Sequence, residues 1–111
     1  MQSPRTVRSK ELALLLSSGA PLLVIDLRKD ADYGAEPRLL PGAVKRNLAD
    51  TGSWGRVLPL DRPIAVYCQQ GQSVGTAAVE WLRKRGIEAR QIEGGFTAWC
   101  EAGLPLGRMQ P

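Results

Sequence analysis

Short apolar runs alternate along the chain with stretches of helical spacing. Leu22-Leu23-Val24-Ile25 is continuously apolar, the pattern of a parallel strand buried on both faces. Ile64-Ala65-Val66-Tyr67 repeats that pattern after Arg62-Pro63, and residues 87–92 predict a further strand. Thr6-Val7 and Val44-Lys45-Arg46 read as brief extended segments. Between these runs, Ser9 predicts an N-cap for a helix over 10–16 that ends near Gly19. Its leucines are too continuous for one clean stripe, so much of that helix is expected to be covered. A helical turn is expected over 30–33 and a short helix over 54–58, stopped by Pro59. From 74 to 85, Val74, Ala77, Ala78 and Leu82 recur at helical spacing, with Val79 and Trp81 widening the face and Gly86 ending it. Gly94-Gly95 permits a tight turn, and a last helix over 96–102 closes at Gly103, with Phe96 and Trp99 as core anchors. Strands alternating with helices predict an α/β class: a small parallel sheet covered on both faces. Residues 1–111 are expected to form one domain.

Composition narrows the chemistry. The 111 residues are 43% hydrophobic and 23% charged, with a net charge of +4. No apolar run nears the roughly 20 residues that span a bilayer. The first residues lack a signal-peptide pattern, so no membrane association and a cytoplasmic location are expected. Basic residues are scattered apart from Arg83-Lys84-Arg85, without the stripe of a nucleic-acid binder. That triplet matches the negative end of its helix. The chain has two cysteines and no histidine. This excludes the usual four-ligand zinc site and every mechanism in which imidazole activates a nucleophile. No metal or other cofactor is expected. A Cys68–Cys100 disulfide is possible but is not needed in a reducing compartment.

The candidate chemistry lies at Cys68, where an apolar strand ends, a polar glycine-containing loop follows and a helix begins. Backbone N–H groups of such a loop and the positive end of the helix both favour thiolate over thiol. Cys68 therefore reads as a nucleophile, the alternative being a buried cysteine that caps a strand. Asp26 and Arg28 end the strand at 22–25, where sites of open α/β sheets form. An internal Asp–Arg pair is an equally good account of them, and Asp26 reads as structural more than catalytic. Cys100 reads as a packed helix residue, with a resolving thiol as the alternative.

Three segments together resemble the single-domain rhodaneses, the thiosulfate sulfurtransferase family. Leu23-Val24-Ile25-Asp26-Leu27-Arg28 with Tyr33 and Pro41-Gly42-Ala43 is similar to its Asp-x-Arg…Pro-Gly-Ala pattern. Val66-Tyr67-Cys68-Gln69-Gln70-Gly71-Gln72-Ser73 is similar to its Cys-x-x-Gly active loop, and Glu93 to Trp99 with Ala102-Gly103-Leu104-Pro105 to its last signature. The resemblance implies a five-stranded parallel rhodanese-like sheet with helices on both faces, and sulfur transfer through a persulfide on Cys68. The donor would be thiosulfate, polysulfide or a persulfide. The acceptor would be cyanide or a thiol, either small or on a thioredoxin-like protein. Backbone N–H groups of Gln69, Gln70, Gly71, Gln72, Ser73 and Val74 would hold the anion, and Gly71 would take a backbone angle other residues resist. Asp26 and Arg28 are possible accessory residues.

The loop departs from the family at its charges. Gln69 stands where active members usually carry arginine, and Ser73 where another basic residue is common. Leu40 replaces the family's histidine and Val74 its Ser or Thr. The loop thus has no formal positive charge, which predicts weak thiosulfate binding unless Arg28 faces it. Arg83 lies about 13 Å along the helix from Val74 at 1.5 Å per residue. That exceeds the roughly 8 Å screening length at physiological salt, so the basic triplet is no substitute. Val74 also stands where related phosphatases and arsenate reductases need the arginine of Cys-x5-Arg, so phosphoryl transfer is not expected. The remaining alternative is a non-catalytic rhodanese-like module that binds a partner or senses redox state.

Overall fold

A computed structural model describes residues 4–70 and 73–107. Its centre is a parallel sheet of β1 (Thr6–Val7), β2 (Leu23–Asp26), β3 (Val44–Lys45), β4 (Ile64–Tyr67) and β5 (Ala89–Ile92). The strand order is β1-β5-β4-β2-β3 and every neighbouring pair is parallel. The helices are α1 (Ser9–Ser17), α2 (Asp30–Ala35), α3 (Thr51–Trp54), α4 (Ser73–Lys84) and α5 (Gly95–Glu101).

Strand periodicity sorts the core into two layers. Val24, Ala65, Tyr67 and Ile92 pack with Leu12 of α1 and with Phe96 and Trp99 of α5. Ile25, Ile64, Val66 and Ala89 pack on the other face with Ala78, Val79 and Leu82 of α4 and with Trp54. Both central strands are therefore apolar throughout, as the continuous runs require.

Two helices differ from expectation. The N-cap of α1 is Arg8, in an extended conformation, and Ser9 is the first helical residue. Only Ser9 and Leu12 of α1 are buried, and Leu14 is 72% exposed. A nine-residue helix at the sheet margin presents one stripe, Leu12 with Ala13 and Leu16, and the other leucines face out. The helix expected at 54–58 lies earlier: 3-10 turns at Leu48–Asp50 and Gly55–Val57 flank α3. Trp54 sets this arrangement by burying its ring and donating Nε1–H to the Asn47 carbonyl, 2.9 Å. Gly55 lies against the Trp81 ring, where a Cβ would collide.

At the end of β2 lies a buried ion pair. Asp26 and Arg28 are 0% and 1% exposed. Arg28 donates from Nε to Asp26 Oδ2 at 2.8 Å, from Nη1 to the Glu36 carbonyl at 2.8 Å and from Nη2 to the Arg38 carbonyl at 3.1 Å. Asp26 Oδ1 accepts the Arg28 backbone N–H at 2.8 Å. The guanidinium lies 3.9 Å from the centre of the Phe96 ring, a distance for cation–π attraction. This arginine fastens the sheet to the 36–38 segment and to α5. Beside it, burial and the Asp26 carboxylate push the Tyr67 phenol well up, so it stays protonated, and its oxygen accepts the Leu40 N–H at 3.2 Å.

Removing one member of such a pair leaves a buried charge unmatched. Arg28→Met is expected to lower stability by about 3–5 kcal/mol, read as a lower urea midpoint. Asp26→Leu combined with Arg28→Met should recover much of that loss. Equal stability of Arg28→Met and the unaltered protein would contradict the account.

Candidate active site

Cys68 follows β4 directly and is 7% exposed. It lies on the wall of a cleft of about 360 Å³ with Leu27, Lys29, Asp32, Gln69, Gln70, Ser73 and Val74. Its place follows from alternation: Ala65 and Tyr67 face α5, so Val66 and Cys68 face the side of α4. The first turn of α4, with Ser73 and Val74, forms one wall. A twelve-residue helix brings the positive end of its dipole there.

The last helix fixes the base of the loop. The Cys68 carbonyl accepts the Phe96 N–H at 2.9 Å, and the Gln69 carbonyl accepts the Thr97 N–H at 3.0 Å. Two oxygens that would repel an anion are thereby committed to α5. The approach depends on Gly94 and Gly95, whose φ values of 71° and 58° suit glycine. Among the described residues, the backbone N–H groups of Gln69 and Gln70 have no acceptor, so both remain available to a ligand. The start of α4 is fixed from below by Gln91, which donates to Thr76 Oγ1 at 2.7 Å.

The expected site residues divide into three groups. Cys68, Gln69, Gln70, Ser73 and Val74 converge on the cleft. Gly71 and Gln72 lie outside the described residues. Asp26 and Arg28 face α5 as the internal pair and do not line the cleft. Arg28 is spent on Asp26, two carbonyls and Phe96, and does not reach the cleft. The chain turns Leu27 and Lys29 to the cleft instead. Gln69 donates Nε2–H to Thr97 Oγ1 at 3.3 Å, and its buried Oε1 has no partner among the described residues.

Sequence reasoning missed Lys29 and Asp32. For Lys29 the signal was present: alternation past Asp26 puts 27 and 29 on the face opposite 26 and 28, the face that Cys68 shares. Asp32, within α2, had no such signal. The Cys100 expectation is also corrected. Both cysteines are free thiols and Cys100 is exposed, on the solvent side of α5. No helix among the described residues is long and apolar enough to cross a membrane.

With this geometry in place, comparison with known proteins defines the class. Residues 9–102 match the rhodanese-like domain family, and the chain belongs to that family. A sulfurtransferase of Allochromatium vinosum is 23% identical over 100 residues, which cover 90% of this chain and 92% of that protein. An HTH-type transcriptional regulator of Mycobacterium tuberculosis is 27% identical over 110 residues, and the chain spans only 48% of its length. The crystal structure of a rhodanese-related protein from Thermoplasma volcanium superposes with a TM-score of 0.78 at 24% identity, covering 92% of this chain and 96% of that one. The likeness in fold thus extends over nearly the whole chain.

Desolvation first, and then the charge of Glu36, push the Cys100 thiol up. A raised folded-state value means less thiolate at neutral pH. Alkylation of Cys100 by iodoacetamide, followed in a Cys68→Ser variant, should therefore rise with pH along a curve displaced above that of the unfolded chain. Overlapping curves for the folded and urea-unfolded protein would refute this.

Proposed function

We propose that the protein is a sulfurtransferase in which Cys68 carries sulfane sulfur as a persulfide between a small anionic donor and a thiol or cyanide. The observation that carries this is the place of Cys68: a thiol on the wall of a cleft, beside the backbone N–H groups of Gln69 and Gln70, which have no acceptor among the described residues, and a helix N-terminus. Family membership and a relative named as a sulfurtransferase support it. In the loading step the Cys68 thiolate forms a bond to the outer sulfur of the donor. The donor's S–S bond breaks with its electron pair going to the departing fragment: sulfite from thiosulfate, a thiolate from a persulfide. The Cys68 persulfide anion is held by the loop N–H groups, and a second nucleophile then takes its outer sulfur by the same displacement.

Gln69 bears on the donor. A neutral carboxamide donates a hydrogen bond to a sulfonate oxygen without charge assistance, which roughly halves a contribution of about 1.5–3 kcal/mol. Thiosulfate is accordingly a weak donor in this scheme, and polysulfide or persulfide a better one. A second reading, a rhodanese-like module that binds a partner or senses redox state, is favoured by the likeness to a transcriptional regulator and by Gln69 resting on Thr97.

Mass spectrometry of the reduced protein after incubation with thiosulfate or polysulfide separates the two. A gain of one sulfur atom on the Cys68 peptide is expected, lost on addition of a thiol and absent in Cys68→Ser, with Cys100→Ser guarding against misassignment. No adduct from either donor would leave the binding module as the better account. Gln69→Arg is expected to raise kcat/KM for thiosulfate about three- to tenfold, from the restored charge assistance. Unchanged or lower turnover would count against the charge-deficit argument.

A further inference from the structure

The stretch from Asp26 to Arg38 is dense in charge, and most of it is paired internally. Arg28 holds Asp26, Arg38 holds Glu36, and Asp30 lies 4.0 Å from Lys45. Lys29 and Asp32 differ. Among the described residues neither side chain has an ion-pair or hydrogen-bond partner, although residues three apart at a helix start are close neighbours. Of these charged residues, these two alone line the cleft that holds Cys68. The cleft therefore offers one uncommitted cation and one uncommitted anion beside a nucleophilic sulfur.

Opposite charges side by side discriminate among sulfur donors. A compact dianion such as thiosulfate is attracted by Lys29 and repelled by Asp32. A molecule carrying both a carboxylate and an ammonium uses both. About 360 Å³ is at the small end of ligand pockets, which run from about 300 to 1,000 Å³. That suits an amino acid rather than a folded partner's domain.

We propose that the cleft selects a small zwitterionic hydropersulfide of the α-amino-acid type, its carboxylate on Lys29, its ammonium on Asp32 and its outer sulfur against Cys68. The proposal rests on the persulfide reading of Cys68 and names the donor class for that site. The Cys68 thiolate bonds to the outer sulfur of R–S–SH, and the S–S bond breaks with its electron pair going to the inner sulfur. The resulting R–S⁻ takes the proton from the outer sulfur, leaving a Cys68 persulfide anion and the free amino-acid thiol. Charge balances and no external oxidant or reductant enters. Lys29 and Asp32 are specificity-determining residues, and Lys29 supplies from the β2–α2 connection the positive charge that the loop lacks.

The test measures the initial rate of sulfur gain on Cys68 by mass spectrometry for three probes: cysteine hydropersulfide, 3-mercaptopropionate hydropersulfide, which lacks the ammonium, and thiosulfate. Lys29→Gln should slow loading from all three about three- to tenfold, the scale of one lost charge-assisted contact. Asp32→Asn should slow cysteine hydropersulfide by a similar factor, leave the mercaptopropionate compound no slower and speed thiosulfate. A merely misfolded variant slows every donor and cannot give these opposite responses. Asp32→Asn acting alike on all three donors, or on none, overturns the zwitterion proposal while leaving Cys68 loading intact. Absence of loading from every donor in the unaltered protein overturns both the proposal and the persulfide reading beneath it.

Discussion

The buried guanidinium of Arg28 is the contact on which the rest of the site depends. Taking an arginine and an aspartate out of water is costly, and mutual attraction offsets that cost only when the remaining donors are satisfied. Here they are, by Asp26 and by the carbonyls of Glu36 and Arg38. The ring that covers the cation belongs to Phe96, whose backbone N–H holds the Cys68 carbonyl. A polar contact on one face of the sheet thus sets the position of a sulfur on the other, through α5.

That division of labour accounts for what the sequence disclosed and what it withheld. The central strands were legible because Leu22 to Ile25 and Ile64 to Tyr67 are apolar at every position, and only burial on both faces explains such runs. Helix α4 was legible from its spacing and its terminal glycine. The 48–58 region was not, because two 3-10 turns and one helical turn leave no sustained period, and one indole decides the path. The exposed leucines of α1 misled for a related reason: composition records how many apolar residues a helix has, not how much sheet remains to cover them.

Cys68 stood out in the sequence because the loop after it is local. Lys29 did not, because its relation to Cys68 passes through the β2–β4 register, Asp26 beside Tyr67. Counting charges within the loop therefore understated the positive charge available to a ligand. Two adjacent basic residues have different fates here: Arg28 is consumed by the fold, and Lys29 is left to the cleft. One step of strand alternation separates them.

The pairing of β1 with β5 has a bearing on how the chain acquires its structure. Thr6 lies beside Gln91 and Val7 beside Ile92, so the first strand finds its place only against one of the last. Contacts of such sequence separation slow folding. Synthesis runs from the amino terminus, and the N–H groups that seize the Cys68 and Gln69 carbonyls sit at 96 and 97. A nascent chain can shape β2 and β4 early, yet its cysteine gains its final surroundings only when α5 arrives. The pocket and the sheet edge at β1 thus both depend on the segment from β5 to α5.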